Sequence, residues 1–125
     1  MILKKILEKI KSMQTEIITN ANGTAVKFAD GTMICTLNIT VIDQAIDTKY
    51  GDTALYYKTR EWTFPASFIE KPAVTCSMFK WGTSGSWGGV YGINNSNATL
   101  IGYDFYSRAA GTSVNISAIA VGRWK

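Results

Sequence analysis

Hydrophobic positions in the first eighteen residues recur at a helical interval. Leu3, Ile6, Ile10, Met13 and Ile17 are spaced 3, 4, 3 and 4, a heptad seam with Leu3, Ile10 and Ile17 at a, and Ile6 and Met13 at d. Ile2 and Leu7 fall at g and e and widen the apolar face. Leu or Ile at a with Ile at d disfavours two-stranded packing and shifts the preference to three or four strands. The spacing predicts a coiled-coil helix over 1–18; an amphipathic helix folded onto its own domain is the alternative. About eighteen residues are marginal as an isolated helix.

From residue 24 the period changes to two. Met33, Cys35, Leu37, Ile39 and Val41 alternate with Ile34, Thr36, Asn38 and Thr40, as in a strand with one buried face. Strands are predicted at 25–29, 33–41, 55–64, 73–81, 90–93, 99–106 and 113–124, with Asp30-Gly31 closing the first hairpin. Turn clusters separate them at 47–52, 65–72, 82–89, 94–97 and 109–112. In the last strand Val114, Ile116, Ala118, Ala120 and Trp124 share one face, while Ile119 and Val121 make the other partly apolar. Such two-sided burial suggests a central strand or one covered by another subunit. The predicted class is mainly β: an antiparallel β-sandwich or small barrel over 19–125, preceded by a short N-terminal coiled-coil α-helix.

Composition narrows the function. At 125 residues the chain is one domain plus a small appendage, and 46% apolar against 18% charged residues excludes a disordered tail. The net charge of +4 is concentrated in Lys4, Lys5, Lys9 and Lys11 against Glu8. No basic stripe interleaved with aromatics follows, so no nucleic-acid partner is expected. The apolar residues near the N-terminus are interrupted by charges, with no signal-peptide core and no membrane-spanning run, so no membrane insertion is expected. Cys35 and Cys76 lie in strand-like runs without a CxxC and read as buried free thiols from a reducing place of synthesis. The chain contains no His, which removes Ser/His and Cys/His pairs and imidazole metal ligands.

Three stretches, NANGTAVKFADGTMICT (20–36), WTFPASFIEKPAVTCS (62–77) and GYDFYSRAAGTSVNISAIAVGRWK (102–125), together resemble the C-terminal domains of bacteriophage tail fibres and related receptor-binding proteins. Each motif alone is weak; their order carries the resemblance. It implies a homotrimer at the tip of a fibre, a head similar to the H-type lectin sandwich, an upstream fibre shaft, and attachment to a glycan or protein on a bacterial surface. It also implies a place in the virion after synthesis in the host cytoplasm, and Met1 is expected to mark the start of a fragment or of a very short protein. The expected function is adhesion as a trimer. A purely structural trimerisation or capping module is the alternative, and a polysaccharide-degrading tail enzyme the third.

Candidate chemistry is sparse. Asp43, Asp47, Asp52 and Glu61 are the carboxylates a glycosidase would draw on, but no catalytic residues, metal ligands or cofactors are expected. The glycines of 82–89 lack the GxGxxG spacing and a following helix, so they form no phosphate cradle. Read as a long hairpin tip, that segment presents Trp87 beside Trp81 and Tyr91, aromatic faces suited to stacking on a sugar. A second candidate region comprises Asn94, Asn95, Ser96 and Asn97 together with Tyr103, Asp104, Tyr106 and Arg108. There Asp104 interrupts an apolar strand and is expected to be exposed or paired with Arg108 or Arg123. Five Asn-x-Ser/Thr sequons, at Asn22, Asn38, Asn94, Asn97 and Asn115, are incidental in a phage protein.

Overall fold

The computed structural model describes residues 2–12, 15–82 and 85–125. A helix, α1 (Ile2–Ser12), precedes nine strands: β1 (Glu16–Asn20), β2 (Gly23–Lys27), β3 (Thr32–Val41), β4 (Thr48–Lys49), β5 (Tyr56–Thr63), β6 (Ala73–Lys80), β7 (Ser86–Ile93), β8 (Asn97–Asp104) and β9 (Val114–Arg123). They form two antiparallel sheets, ordered β1-β2-β3-β9-β6 and β4-β5-β8-β7. The mainly β, antiparallel class behind one short N-terminal helix is as the alternation predicts.

Two expectations need correction. The helix expected over 1–18 is Ile2–Ser12, and Ile17, expected at a heptad a position, stands in β1 opposite Val26. The reason is local: Thr15, Ile17, Ile18 and Thr19 are β-branched, favour an extended backbone, and lead into a two-residue turn at Ala21 and Asn22. The heptad spacing at Ile17 is met by a residue whose neighbours are strand formers. Met13 lies outside the described residues. The second correction concerns the expected tip at 82–89. β7 begins at Ser86, four residues before the expected strand start, so Trp87 is a strand residue; Thr83 and Ser84 lie outside the described residues.

The hairpin turns account for the Asn-Gly and Asp-Gly signals. Gly23 has φ +114°, and a Cβ there would collide with the Thr36 carbonyl of β3, so the position excludes any side chain. The Asn22 carbonyl accepts a hydrogen bond from Trp62 Nε1 at 2.8 Å, tying this turn to the core. At the next turn the Thr32 amide donates to Asp30 Oδ1 at 2.8 Å, and this bond together with the Thr32 hydroxyl holds the Asp30 carboxyl below its usual 3.8. The C-terminal segment closes over the same turn: Arg123 Nη2 donates to the Asp30 carbonyl at 2.7 Å and Trp124 Nε1 to the Phe28 carbonyl at 2.8 Å.

Both sheets feed one core. Met33, Cys35, Ile116 and Ala120 from the first meet Trp62 and Leu100 from the second, with Phe64 and Phe68 from the connection after β5. Trp62, Phe64 and Phe68 stack edge to face in series, with centroids 5.0 and 5.2 Å apart. Where β7 meets β6 across the layers, Gly88 lets the two backbones approach, because a Cβ there would fall on the Met78 amide nitrogen. Both cysteines are free thiols; burial pushes Cys35 and Cys76 up to about 11.

The two sheets present different outer faces. On the first, Ile17, Val26, Ile34, Val121 and Ala73 form a registered apolar row across all five strands, and Ile119 and Val121 remain about 40% exposed. The second carries tall aromatic rings.

Candidate functional site

The outer face of the β4-β5-β8-β7 sheet is shaped by its register. One row across three strands is Tyr57, Tyr103 and Trp87; the next is Thr59, Ile101 and Gly89. Side chains shrink from the first row to the second and vanish at Gly89, so the face is recessed beside its wall of rings. Trp87 lies near-parallel to Tyr103 at 5.5 Å, and Phe105 leans on Trp87 at 5.4 Å. A β-bulge between Val90 and Gly92 leaves Tyr91 without a partner on β8; alternation along β7 sets Tyr91 on the same face as Trp87 and Gly89, and it lines the recess.

The result is an open basin of about 540 Å³, walled by Tyr50, Tyr57, Tyr91 and Tyr103 and floored by Thr59 and Ile101. Tyr50 comes from the turn after β4 and meets the edge of Tyr57 at 5.4 Å. Lys49 is the one charged side chain of the lining, which holds no carboxylate. Among the described residues Lys49 has no ion-pair partner.

The expected site residues separate. Tyr91 lines the basin, and Trp87 buttresses its Tyr103 wall. Trp81 stands apart in the turn after β6, two-thirds exposed, with Phe79 at 5.8 Å. Asn94 and Asn95 organise the β7–β8 turn. Asn94 Oδ1 accepts from the amides of Ser96 and Asn97, both at 2.9 Å, and the Asn95 carbonyl accepts from the Phe68 amide at 2.8 Å.

Asp104 is fully buried and paired with Arg108, whose Nε donates to Asp104 Oδ2 at 3.0 Å. The Ser86 hydroxyl also donates to that carboxylate, and the Tyr106 amide donates to its Oδ1 at 2.8 Å. Burial pushes this carboxyl up, but Ser86, Tyr106 and Arg108 outweigh it and hold the group below its usual value. Arg108 also joins the segment before β4 by backbone bonds to Ile46 at 2.8 and 2.9 Å, and its guanidinium lies over the Tyr106 ring at 5.2 Å. This cluster braces the 104–108 segment against β7.

Of the other candidate carboxylates, three are engaged with neighbours, and Asp52 has no ion pair among the described residues. Asp43 pairs with Arg60 at 3.2 Å, Asp47 with Lys58 at 3.6 Å, and Glu61 accepts from Asn97 and Thr99. Among the described residues no three His, Cys, Asp or Glu side chains converge as metal ligands, and no helix is long and apolar enough to cross a membrane.

Sequence reasoning missed Lys49, Tyr50 and Tyr57, and grouped Tyr103 with Asp104 and Arg108 where the structure sets it beside Tyr91. The pattern held one usable signal, an alternating Tyr57-x-Thr59 opposite Ile101-x-Tyr103, but the pairing of these runs is a tertiary fact.

No protein-family model matches the chain, and no curated protein sequence matches it significantly. Solved structures do. A Pseudomonas aeruginosa R1 pyocin fibre fragment comprising its C-terminal residues 323–701 aligns with TM-score 0.62 and 15% identity, covering 87% of this chain and 28% of that one. The N-truncated R1-type pyocin tail fibre aligns at 0.61 and 14%, covering 87% of this chain and 85% of that one. The tailspike protein gp49 of Pseudomonas phage LKA1 aligns at only 0.45. The chain thus spans little more than a quarter of the longer pyocin fragment. At these identities the likeness concerns architecture: this chain has a fold like that of a pyocin tail-fibre C-terminal region.

Proposed function

We propose that this chain is the receptor-binding head of a phage or prophage tail fibre, a homotrimer that attaches the virion to a bacterial surface glycan or protein without cleaving it. The observation that carries the reading is the tail-fibre fold over 87% of the chain. We read the two sheets as a sandwich, and α1 as the start of a three-stranded coiled coil continuous with an upstream shaft. Leu3, Ile6 and Ile10 on α1 are all about half exposed or more in the single chain, as is Ile17 on β1. Ile119 and Val121 extend this uncovered apolar surface on the first sheet, and a trimer would cover it. Shallow sites used three at a time then gain avidity.

The test is light scattering on the protein with and without residues 1–12, alongside adsorption of the labelled protein to a panel of bacteria. Three chains and saturable adsorption to some strains are expected. A monomer that adsorbs to none overturns the reading. A trimer that adsorbs to none favours the second reading, a structural cap, which the same exposed apolar surfaces also support.

A further inference from the structure

We infer that the tyrosine basin on the β4-β5-β8-β7 sheet is the receptor contact and takes an acidic saccharide, a sugar unit bearing a carboxylate or phosphate. This rests on the fibre-head reading and names the site and ligand chemistry within it.

Four observations point to it. The basin of about 540 Å³ lies within the ~300–1,000 Å³ range of small-ligand sites and accommodates one or two sugar rings. Its walls are four tyrosines, whose flat faces stack on the C–H faces of a pyranose while their hydroxyls reach its oxygens. The recess follows from the register: Gly89 puts no side chain beside Ile101, and alternation along β7 sets Tyr91 on the same face.

Charge selects among sugars. Lys49 is the only charged residue of the lining and has no ion-pair partner among the described residues, whereas Lys58 and Arg60 on the adjoining strand are paired with Asp47 and Asp43. A cation without a carboxylate partner at the mouth of an aromatic basin favours an anion on the incoming ring. The contact is solvent-exposed, so it adds ~0.2–1 kcal/mol, up to about fivefold in affinity. Stacking supplies the remainder.

The experiment is an array of purified bacterial surface polysaccharides, neutral and acidic, probed with the full chain and with Gly89→Leu, Lys49→Gln and Tyr57→Ala. Gly89→Leu removes no contact: a Cβ there meets Ile101 and Tyr103 at ordinary distances of 3.7 and 3.8 Å, so the variant should fold and fill the floor. Binding confined to acidic polysaccharides, lost in Gly89→Leu and Tyr57→Ala and weakened by up to about fivefold in Lys49→Gln, is the expected result. Undiminished binding by Gly89→Leu, checked for native circular dichroism, overturns the site. Equal binding of neutral polymers with no effect of Lys49→Gln overturns the ligand class. Adsorption to cells with no polysaccharide bound overturns the inference in favour of a protein receptor and leaves the fibre-head reading standing.

Discussion

Replacing Asp104 by Ala removes the one fully buried carboxylate among the described residues and leaves three donors without their acceptor. Arg108 loses a 3.0 Å ion pair while its side chain stays only 21% exposed, the Tyr106 amide loses its 2.8 Å acceptor, and the Ser86 hydroxyl loses its carboxylate. Breaking one side of a buried pair costs about 3–5 kcal/mol, because the remaining charge is left poorly solvated. Arg108 retains some solvent, so the lower end, ~3 kcal/mol, is expected. For a chain of this size that lowers Tm by roughly 12 °C. The assay is thermal unfolding by circular dichroism at one fixed protein concentration, since an oligomer's stability depends on concentration. Asp104→Asn keeps an oxygen acceptor but loses the charge, and should fall between wild type and Asp104→Ala.

The pH dependence of the difference makes the test sharper. The folded Asp104 carboxyl titrates below its unfolded value near 3.8. Its stabilisation is therefore complete above about pH 4–5 and disappears as pH falls through the lower, folded value. The gap in Tm between wild type and Asp104→Asn should be widest at pH 6–7 and shrink steadily toward pH 2. A gap below about 1 kcal/mol at neutral pH, or one that grows on acidification, would refute the account of Asp104 as the brace of the 104–108 segment.

Gly88→Ala should destabilise by about 1–3 kcal/mol, because its methyl falls on the Met78 backbone of the facing sheet; urea unfolding measures this, and a loss below ~0.5 kcal/mol contradicts the close approach. Both thiols, pushed up from 9.0 to about 11 by burial, should hold on the order of 100-fold less thiolate at pH 8 and react with a disulfide reagent more slowly than a free cysteine. Unfolding in guanidinium should restore the normal rate, and fast labelling of the native protein would contradict the burial. Ile6→Lys combined with Ile10→Lys, on the exposed apolar face of α1, should lower the solution mass while leaving the strand circular dichroism intact; an unchanged mass contradicts self-association through α1.

Several parts of this molecule were legible from local pattern. Alternation over 33–41 and 114–121 located β3 and β9 because a strand with one buried face must repeat every two residues. Asn22-Gly23 and Asp30-Gly31 marked real turns, and at Gly23 the reason is steric as well as conformational. That Asp104 is either exposed or paired with Arg108 or Arg123 could be anticipated, because a carboxylate in an apolar strand needs water or a cation; the structure selects Arg108. Where two patterns competed, tertiary structure decided. Ile17 satisfies a heptad and a β-branched strand equally well, and pairing with β2 selects the strand, since each ladder position supplies hydrogen bonds that a frayed helix end lacks. Gly88 and Gly89 read as loop residues, yet they are the strand positions where one face must admit a neighbouring backbone and the other must stay open.

The basin belongs wholly to the second category. Tyr50, Tyr57, Tyr91 and Tyr103 are spread over more than fifty residues, and no spacing rule links them. They converge because β8 pairs with β5 on one side and β7 on the other in a register that places Ile101 between Thr59 and Gly89. A slip of one residue would send every ring to the opposite face. The sequence by itself determined β3, β9 and most of the other long strands, with their buried faces and the Gly-marked hairpin turns, which are local consequences of side-chain period and backbone freedom, but not β1, β4 or the start of β7. The layering of the sheets and the gathering of the tyrosines follow only from long-range pairing, which local pattern does not encode.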